Sequence, residues 1–290
     1  MRYGTGMVIV LMAGILWSFQ ALMIRQIEEA GPWAILAWRS LAMAPVLLAF
    51  LAWRRGGSPF PAIRRAGLAG VLGDVGLVAA MGGAILAFQT TTIANAAFLL
   101  AASPFLAAIL GWLILREAVA PRTWGAIALA LLGIFIMVRD GLAGGALVGN
   151  VAALVSALGF AAFSVALRWR RVEDSLPASI LGASFAVVAG ALATRHVGQP
   201  LVIPAPDLMW CVIMGVVTMS GGMILYTLGS RVVPSAELTL LSNTEVLLAP
   251  FWVWLIMGET ASTATFIGGA VVLVAILFNA DAGVRRMAHA

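Results

Sequence analysis

One carboxylate, Glu245, stands in the stretch SNTEVLLAP (Ser242–Pro250), inside the mostly apolar segment from Pro234 to Met257. Such a carboxylate can hold a substrate ammonium group, carry a proton, or anchor a neighbouring helix through a hydrogen bond. Exposed to lipid and unpaired it costs at least about 2.5 kcal/mol, so it must face a bundle interior, be protonated, or have a partner. On a helix, Leu238, Ser242, Glu245 and Ala249 share one face, and Asn243 and Thr244 widen its polar sector. Asp74 and Arg39 are also charged residues within apolar segments. Asp74 is read as an ion pair with Arg39, Arg64 or Arg65, as snorkelling to the inner surface, or as a coupling site. Arg39 is read as an ion pair or a contact to helix-end carbonyls. Glu117 and Glu259 follow long apolar runs and read as caps or loop anchors. Trp17, Phe98, Phe160, Phe163 and Tyr226 lie deep in apolar segments, where they either wall a cavity for apolar or aromatic groups or pack against lipid. Tyr226 favours the cavity, because a buried hydroxyl needs a partner. Gln20, Gln89 and Asn95 fall near segment ends and either line a vestibule or sit at the interface.

The elements that position these residues follow from composition. The chain of 290 residues is 62% hydrophobic and 10% charged, with a mean hydropathy of +1.06, so it presents apolar surface to lipid. The single cysteine, Cys211, excludes an intrachain disulfide. The net charge of +5 is carried by arginines lying between apolar segments, which gives no nucleic-acid role. His196 and His289 belong to no ligand cluster, and no serine or cysteine has a base nearby. No stretch suits a soluble nucleotide-binding domain. An enzyme or a primary pump is therefore not expected, nor is any cofactor or metal.

Continuous apolar runs of about 20 residues predict membrane helices rather than a barrel. Ten segments qualify: 5–24, 32–53, 66–88, 94–115, 121–138, 147–167, 176–194, 208–230, 234–257 and 261–279. The first is read as a membrane helix rather than a signal peptide, for want of a cleavage site. Pro32, Pro121, Pro177 and Pro234 fall at segment starts, where a missing N–H matters least. With the N-terminus inside, thirteen arginines fall on the inner side, against Arg25, Arg139 and Arg195 outside, and both termini are cytoplasmic. Recurrent glycines, as in GLAGVLGDVG (Gly67–Gly76), predict close helix contacts.

The chain also repeats itself. Ala94–Leu129 and Pro234–Val271 align when Glu117 is set on Glu259, which also pairs Trp112 with Trp254, Leu113 with Leu255 and Thr123 with Thr265. Gly14–Trp33 echoes Gly159–Ala178 more weakly. The fold class is thus an all-α integral membrane protein of ten transmembrane helices, arranged as two five-helix repeats, 1–140 and 141–290. Five is odd, so the repeats are inverted, a plan that secondary transporters use with a site near the midplane. Glu245 then corresponds to Ser103. Beside it Pro104 is a hinge, since it removes the hydrogen bond to Leu100. The site falls between the fourth and ninth spans and comprises Trp17, Phe98, Ser103, Phe160, Phe163, Tyr226, Ser242, Asn243 and Glu245.

The stretches RVVPSAELTLLSNTEVLLAPFWVWLIMGE, ASPFLAAILGWLILREAVAPRTWGAIALALLGIFIMV and WRSLAMAPVLLAF resemble the EamA family of the drug/metabolite transporter superfamily, over nearly the whole chain. Among its members the chain looks closest to the YddG-type exporters of aromatic and other amino acids. One departure is Val246, where the family has proline after the glutamate. This removes the usual reason for a kink there. The resemblance implies alternating-access export of amino acids and related metabolites from a bacterial inner membrane, with a small molecule and lipid as partners. The oligomeric state is left open, a monomer among the options. A sugar-phosphate or nucleotide-sugar exchanger and a non-transport scaffold are the alternatives. The exchanger would want several deep cations for phosphate, and only Arg39 is available.

Overall fold

A computed structural model describes residues 2–143, 146–169, 174–233, 238, 241 and 243–287. Among them every element is helical. These are α1 (Tyr3–Arg25), α2 (Pro32–Arg55), α3 (Phe60–Thr90), α4 (Ile93–Leu100), α5 (Ser103–Leu115), α6 (Pro121–Ala143), α7 (Leu147–Trp169) and α8 (Leu176–His196). After them α9 (Ala205–Ile213) and α10 (Gly222–Gly229) flank a π-helical stretch, Met214–Gly221, and α11 (Thr244–Met257) and α12 (Thr263–Met287) follow. Local chemistry sets the ends. Pro32 and Pro177 occupy first turns, where no N–H is needed. Gly56 and Gly258 stop α2 and α11 in the left-handed region, with φ of 64° and 69°. Thr92 caps α4 by accepting from the Asn95 N–H.

Among the described residues, eight helices are long and apolar enough to cross a membrane, counting α4–α5 as one and α9–α10 as one. Two shorter apolar helices, Thr244–Met257 and Thr263–Asn279, stand where the ninth and tenth spans were expected. Three spans are irregular in ways their hydropathy does not reveal. The third begins early, at Phe60, and turns at Gly67 with φ 54°, ψ −149°, a conformation left essentially to glycine. The fourth breaks at Ala101–Ala102. The eighth contains the π-helical stretch, where Ser220 Oγ donates to the Gly215 carbonyl, 2.8 Å away.

Small residues decide which helices touch. A Cβ on Gly76 of α3 would lie 2.6 Å from the Gly159 carbonyl of α7, and one on Gly159 would lie 2.5 Å from the Gly76 carbonyl. Gly133 of α6 and Gly268 of α12 face each other equally closely. The expected close approach is therefore present, backbone against backbone. Beyond these two pairs, α2 packs on α8 and on the π-helical stretch, and α3 packs also on α8. α1 packs on the π-helical stretch, α10 and α11, while α4 and α5 pack on α7, and α4 also on α11. The outward faces carry large apolar side chains such as Leu131, Phe135, Leu192 and Leu277, each more than half exposed, as a lipid-facing surface requires.

Candidate functional site

A narrow cleft of about 20 Å3 opens where α1, α3, α4 and α11 meet. Trp17, Ser18, Gln20 and Ala21 line it from α1, Phe88 from α3, Ala97 and Leu100 from α4, and Glu245, Val246 and Ala249 from α11. Two helix interruptions shape it. α4 stops at Leu100, and α5 restarts at Ser103 with Pro104 in its first turn, leaving the Leu100 carbonyl without the N–H it would use in a continuous helix. α11 starts at Thr244, preceded by a turn at Asn243 whose carbonyl accepts from the Val246 N–H at 3.0 Å. With Glu117 set on Glu259, Ala101 falls on Asn243 and Ser103 on Glu245, so the two breaks occur at matching places.

The second break corrects two expectations. Glu245 is the second residue of its helix, not one deep within a continuous run, and the chain is interrupted there although Val246 replaces proline. The interruption gives Glu245 a favourable place, because a carboxylate in a helix's first turn lies at the positive end of its dipole. Glu245 is half-buried and forms no ion pair among the described residues.

The other expected residues divide. Trp17 lines the cleft, and Tyr226 of α10 stands behind it, ring centroids 5.6 Å apart and planes inclined at 39°. Ser103 and Pro104 begin the helix after the break without lining the cleft. Asn243 forms the turn before α11, and its Nδ2 has no partner among the described residues. Ser242 lies outside the described residues. Phe98 is buried with its ring against Gly269 of α12, not on the cleft. Phe163 packs against Gly73 of α3. Phe160 is 49% exposed on the outer surface, because it lies about 100° round the helix from Gly159, which faces α3.

The deep charges also depart from expectation. Asp74 is fully buried against Gly182 of α8, and neither oxygen has a hydrogen-bond partner among the described residues, so it pairs with none of Arg39, Arg64 and Arg65. Arg39 is 1% exposed and its Nη1 donates to Gln20 Oε1 at 3.2 Å, rather than to a carboxylate or a helix-end carbonyl. Gln20 is the cleft residue that the sequence reading undervalued. Its spacing of three from Trp17 was the available signal, since i and i+3 share a helix face. Ser18 was missed: its Oγ donates to the Ile15 carbonyl at 2.6 Å and accepts from Trp252 Nε1 at 2.9 Å.

Two further ion pairs mark the ends of the broken span. At its start, Arg25 Nε meets Glu259 Oε2 at 2.9 Å, while Glu259 Oε1 accepts from the Ile93 N–H at 2.7 Å. Past its end, Arg168 Nη1 meets Glu117 Oε2 at 2.7 Å. Both glutamates are thus the anchors expected of them.

A bundle of apolar helices around an internal cleft with a single carboxylate is the architecture of a membrane transporter. The EamA-like transporter family model matches the chain twice, over residues 4–139 and 147–280, and the chain belongs to that family. Its members are transporters, not enzymes. Sixteen chains of solved structure match as well. One, titled only as a crystal structure of a protein, aligns with a TM-score of 0.65 at 22% identity, covering 94% of this chain and 96% of that one, and so supports the fold. No curated protein matches by sequence.

Proposed function

We propose that the protein is a secondary active transporter that exports amino acids, aromatic ones included, and related small metabolites by alternating access, with the cleft as its substrate site. The observation that carries this reading is Glu245, placed at the start of α11 and facing a cleft shared with Trp17 and α4. A carboxylate beside an indole and an apolar wall suits an ammonium group attached to an apolar body.

On this reading the two matched segments are inverted five-span halves, ten spans in all, in a bacterial inner membrane with both termini cytoplasmic. The packing supports it. α3 packs on α7 as α10 packs on α1, and α3 packs on α8 as the π-helical stretch packs on α2. These pairs exchange when the halves exchange. Each of the two ion pairs joins one half to the other, and they sit at opposite ends of the α4–α5 span, roughly 35 Å apart along a helix of 23 residues. Alternate loosening of such ties is what an alternating-access cycle requires.

Counterflow in proteoliposomes tests the proposal. Vesicles loaded with one unlabelled amino acid at a time are given labelled tracer outside. The native chain accumulates tracer, and a folded Glu245→Gln variant loses about tenfold or more of it, as loss of a charge-assisted contact implies. Full activity in Glu245→Gln would make the carboxylate structural. No accumulation with any amino acid would leave another metabolite class or the scaffold reading.

A further inference from the structure

Glu245 is not the only polar group of the cleft. Gln20 also lines it and bonds to a buried cation. Arg39 lies in the eighth position of α2, is 1% exposed, and has no carboxylate partner among the described residues. Its Nη1 donates to Gln20 Oε1, and its Nε has no partner among the described residues. A buried, unpaired guanidinium is unfavourable, and within a membrane bundle such a group marks a place where a counter-charge arrives.

The hydrogen bond also fixes what Gln20 offers. A side-chain amide has one accepting oxygen and an NH2 with two donors, whereas a guanidinium only donates. With Arg39 on the oxygen, the Gln20 amide cannot rotate by half a turn without setting donor against donor. Its NH2 group is left for the cleft, polarised by the positive charge behind it. The rest of the lining does not compete. Ser18 Oγ is engaged by Trp252 and the Ile15 carbonyl, Trp17 presents an indole, and the other residues are apolar apart from Glu245. The cleft thus holds an amide donor, a carboxylate acceptor and apolar walls.

We propose that Gln20, locked and polarised by Arg39, reads the carboxylate of a zwitterionic substrate whose ammonium group is taken by Glu245. The cleft then demands both charges on one molecule. Gln20 is a specificity residue that touches the substrate, and Arg39 a positioning residue that acts through it. This rests on the transporter reading of the same cleft but adds a rule that reading does not contain.

The test is ligand-dependent thermal stabilisation of the purified full-length protein, with phenylalanine and leucine as zwitterions, phenethylamine as the amine without the carboxylate, and 3-phenylpropionate as the acid without the ammonium. In the native chain each single-charge analogue binds about tenfold or more weakly than phenylalanine, as loss of a charged hydrogen bond implies. Gln20→Glu is nearly isosteric, neutralises Arg39 and turns the donor into an acceptor. It reverses the order, so that phenethylamine binds better than phenylalanine. Gln20→Leu weakens phenylalanine and leaves phenethylamine unchanged. A purely structural Gln20 would lower stability without reordering the ligands.

The inference is overturned if phenethylamine binds the native chain as well as phenylalanine, if Gln20→Glu keeps the native order, or if no zwitterion stabilises the folded native protein. Counterflow with the same compounds separates the two readings. Equal exchange of amine and amino acid discards the zwitterion rule and keeps the transporter. Zwitterion-selective binding without counterflow of any compound keeps the rule and discards amino acid transport.

Discussion

At the scale of the residue, three deep charges have three different surroundings. Glu245 faces a cleft at a helix start, Arg39 is bonded to an amide, and Asp74 is sealed between α3 and α8 with no partner among the described residues. A sealed carboxylate is most easily accommodated with a proton on it. This makes Asp74 a candidate for proton coupling, distinct from the substrate binding proposed for Glu245. Asp74→Asn should leave counterflow intact, since exchange needs no net proton movement, and should abolish stimulation of transport by an imposed pH gradient. Gradient-driven transport that persists in Asp74→Asn would exclude this residue. Stability should change little, because the substitution replaces a protonated carboxyl by a neutral amide of the same shape. That Asp74 lies within an apolar segment was legible in the sequence. Its lack of an arginine partner was not, because pairing depends on which helix faces overlap, and three arginines were compatible with the spacing.

At the scale of the element, glycine contacts and helix breaks carry the design. Gly76 and Gly159 bring the α3 and α7 backbones together, whereas Gly125 of α6 has nothing within 4 Å of where its Cβ would be. Gly76→Ile should therefore destabilise the protein by about 1–3 kcal/mol or more, through overpacking against a backbone that cannot yield. Gly125→Ala should be neutral or stabilise by up to about 1 kcal/mol, from helix propensity. Thermal unfolding in detergent checks both, and equal midpoints would show that the α3–α7 contact is not tight. The break before α5 was legible from Ser103 and Pro104. The break before α11 was not, because Val246 carries no such signal and the interruption falls at the Asn243 turn. The π-helical stretch was equally silent: nothing in the hydropathy of MGVVTMSG sets it apart from its neighbours, and it packs against α1 and α2.

At the scale of the whole molecule, the cleft requires both halves. The cleft takes residues from α1, α3 and α4 of the first match and from α11 of the second, so neither half encloses it alone. On the proposed reading, two inverted halves of five spans return the chain to the side on which it began, the cytoplasm. A green fluorescent protein fused to the C-terminus should therefore fluoresce, and alkaline phosphatase at the same position should be inactive. An active phosphatase would overturn the inverted five-plus-five arrangement, while leaving the helical bundle and the family intact.

The amino-acid sequence by itself determined that this is a helical membrane protein, that it is internally duplicated, and that Glu245 is a charge set within an apolar segment. Each follows from quantities a linear chain carries: hydropathy over a span's length, self-similarity at a fixed offset, and a charge placed where lipid would reject it. Only the tertiary structure decided that Phe98 and Phe160 turn away from the cleft, that Glu245 begins a helix, and that Gln20 joins the cleft to Arg39. In a chain this apolar, every face of a helix is hydrophobic, so periodicity does not distinguish the face toward lipid from the face toward a neighbour. That choice is made by glycines meeting backbone to backbone and by the few hydrogen bonds between helices, both of which exist only once the helices are packed.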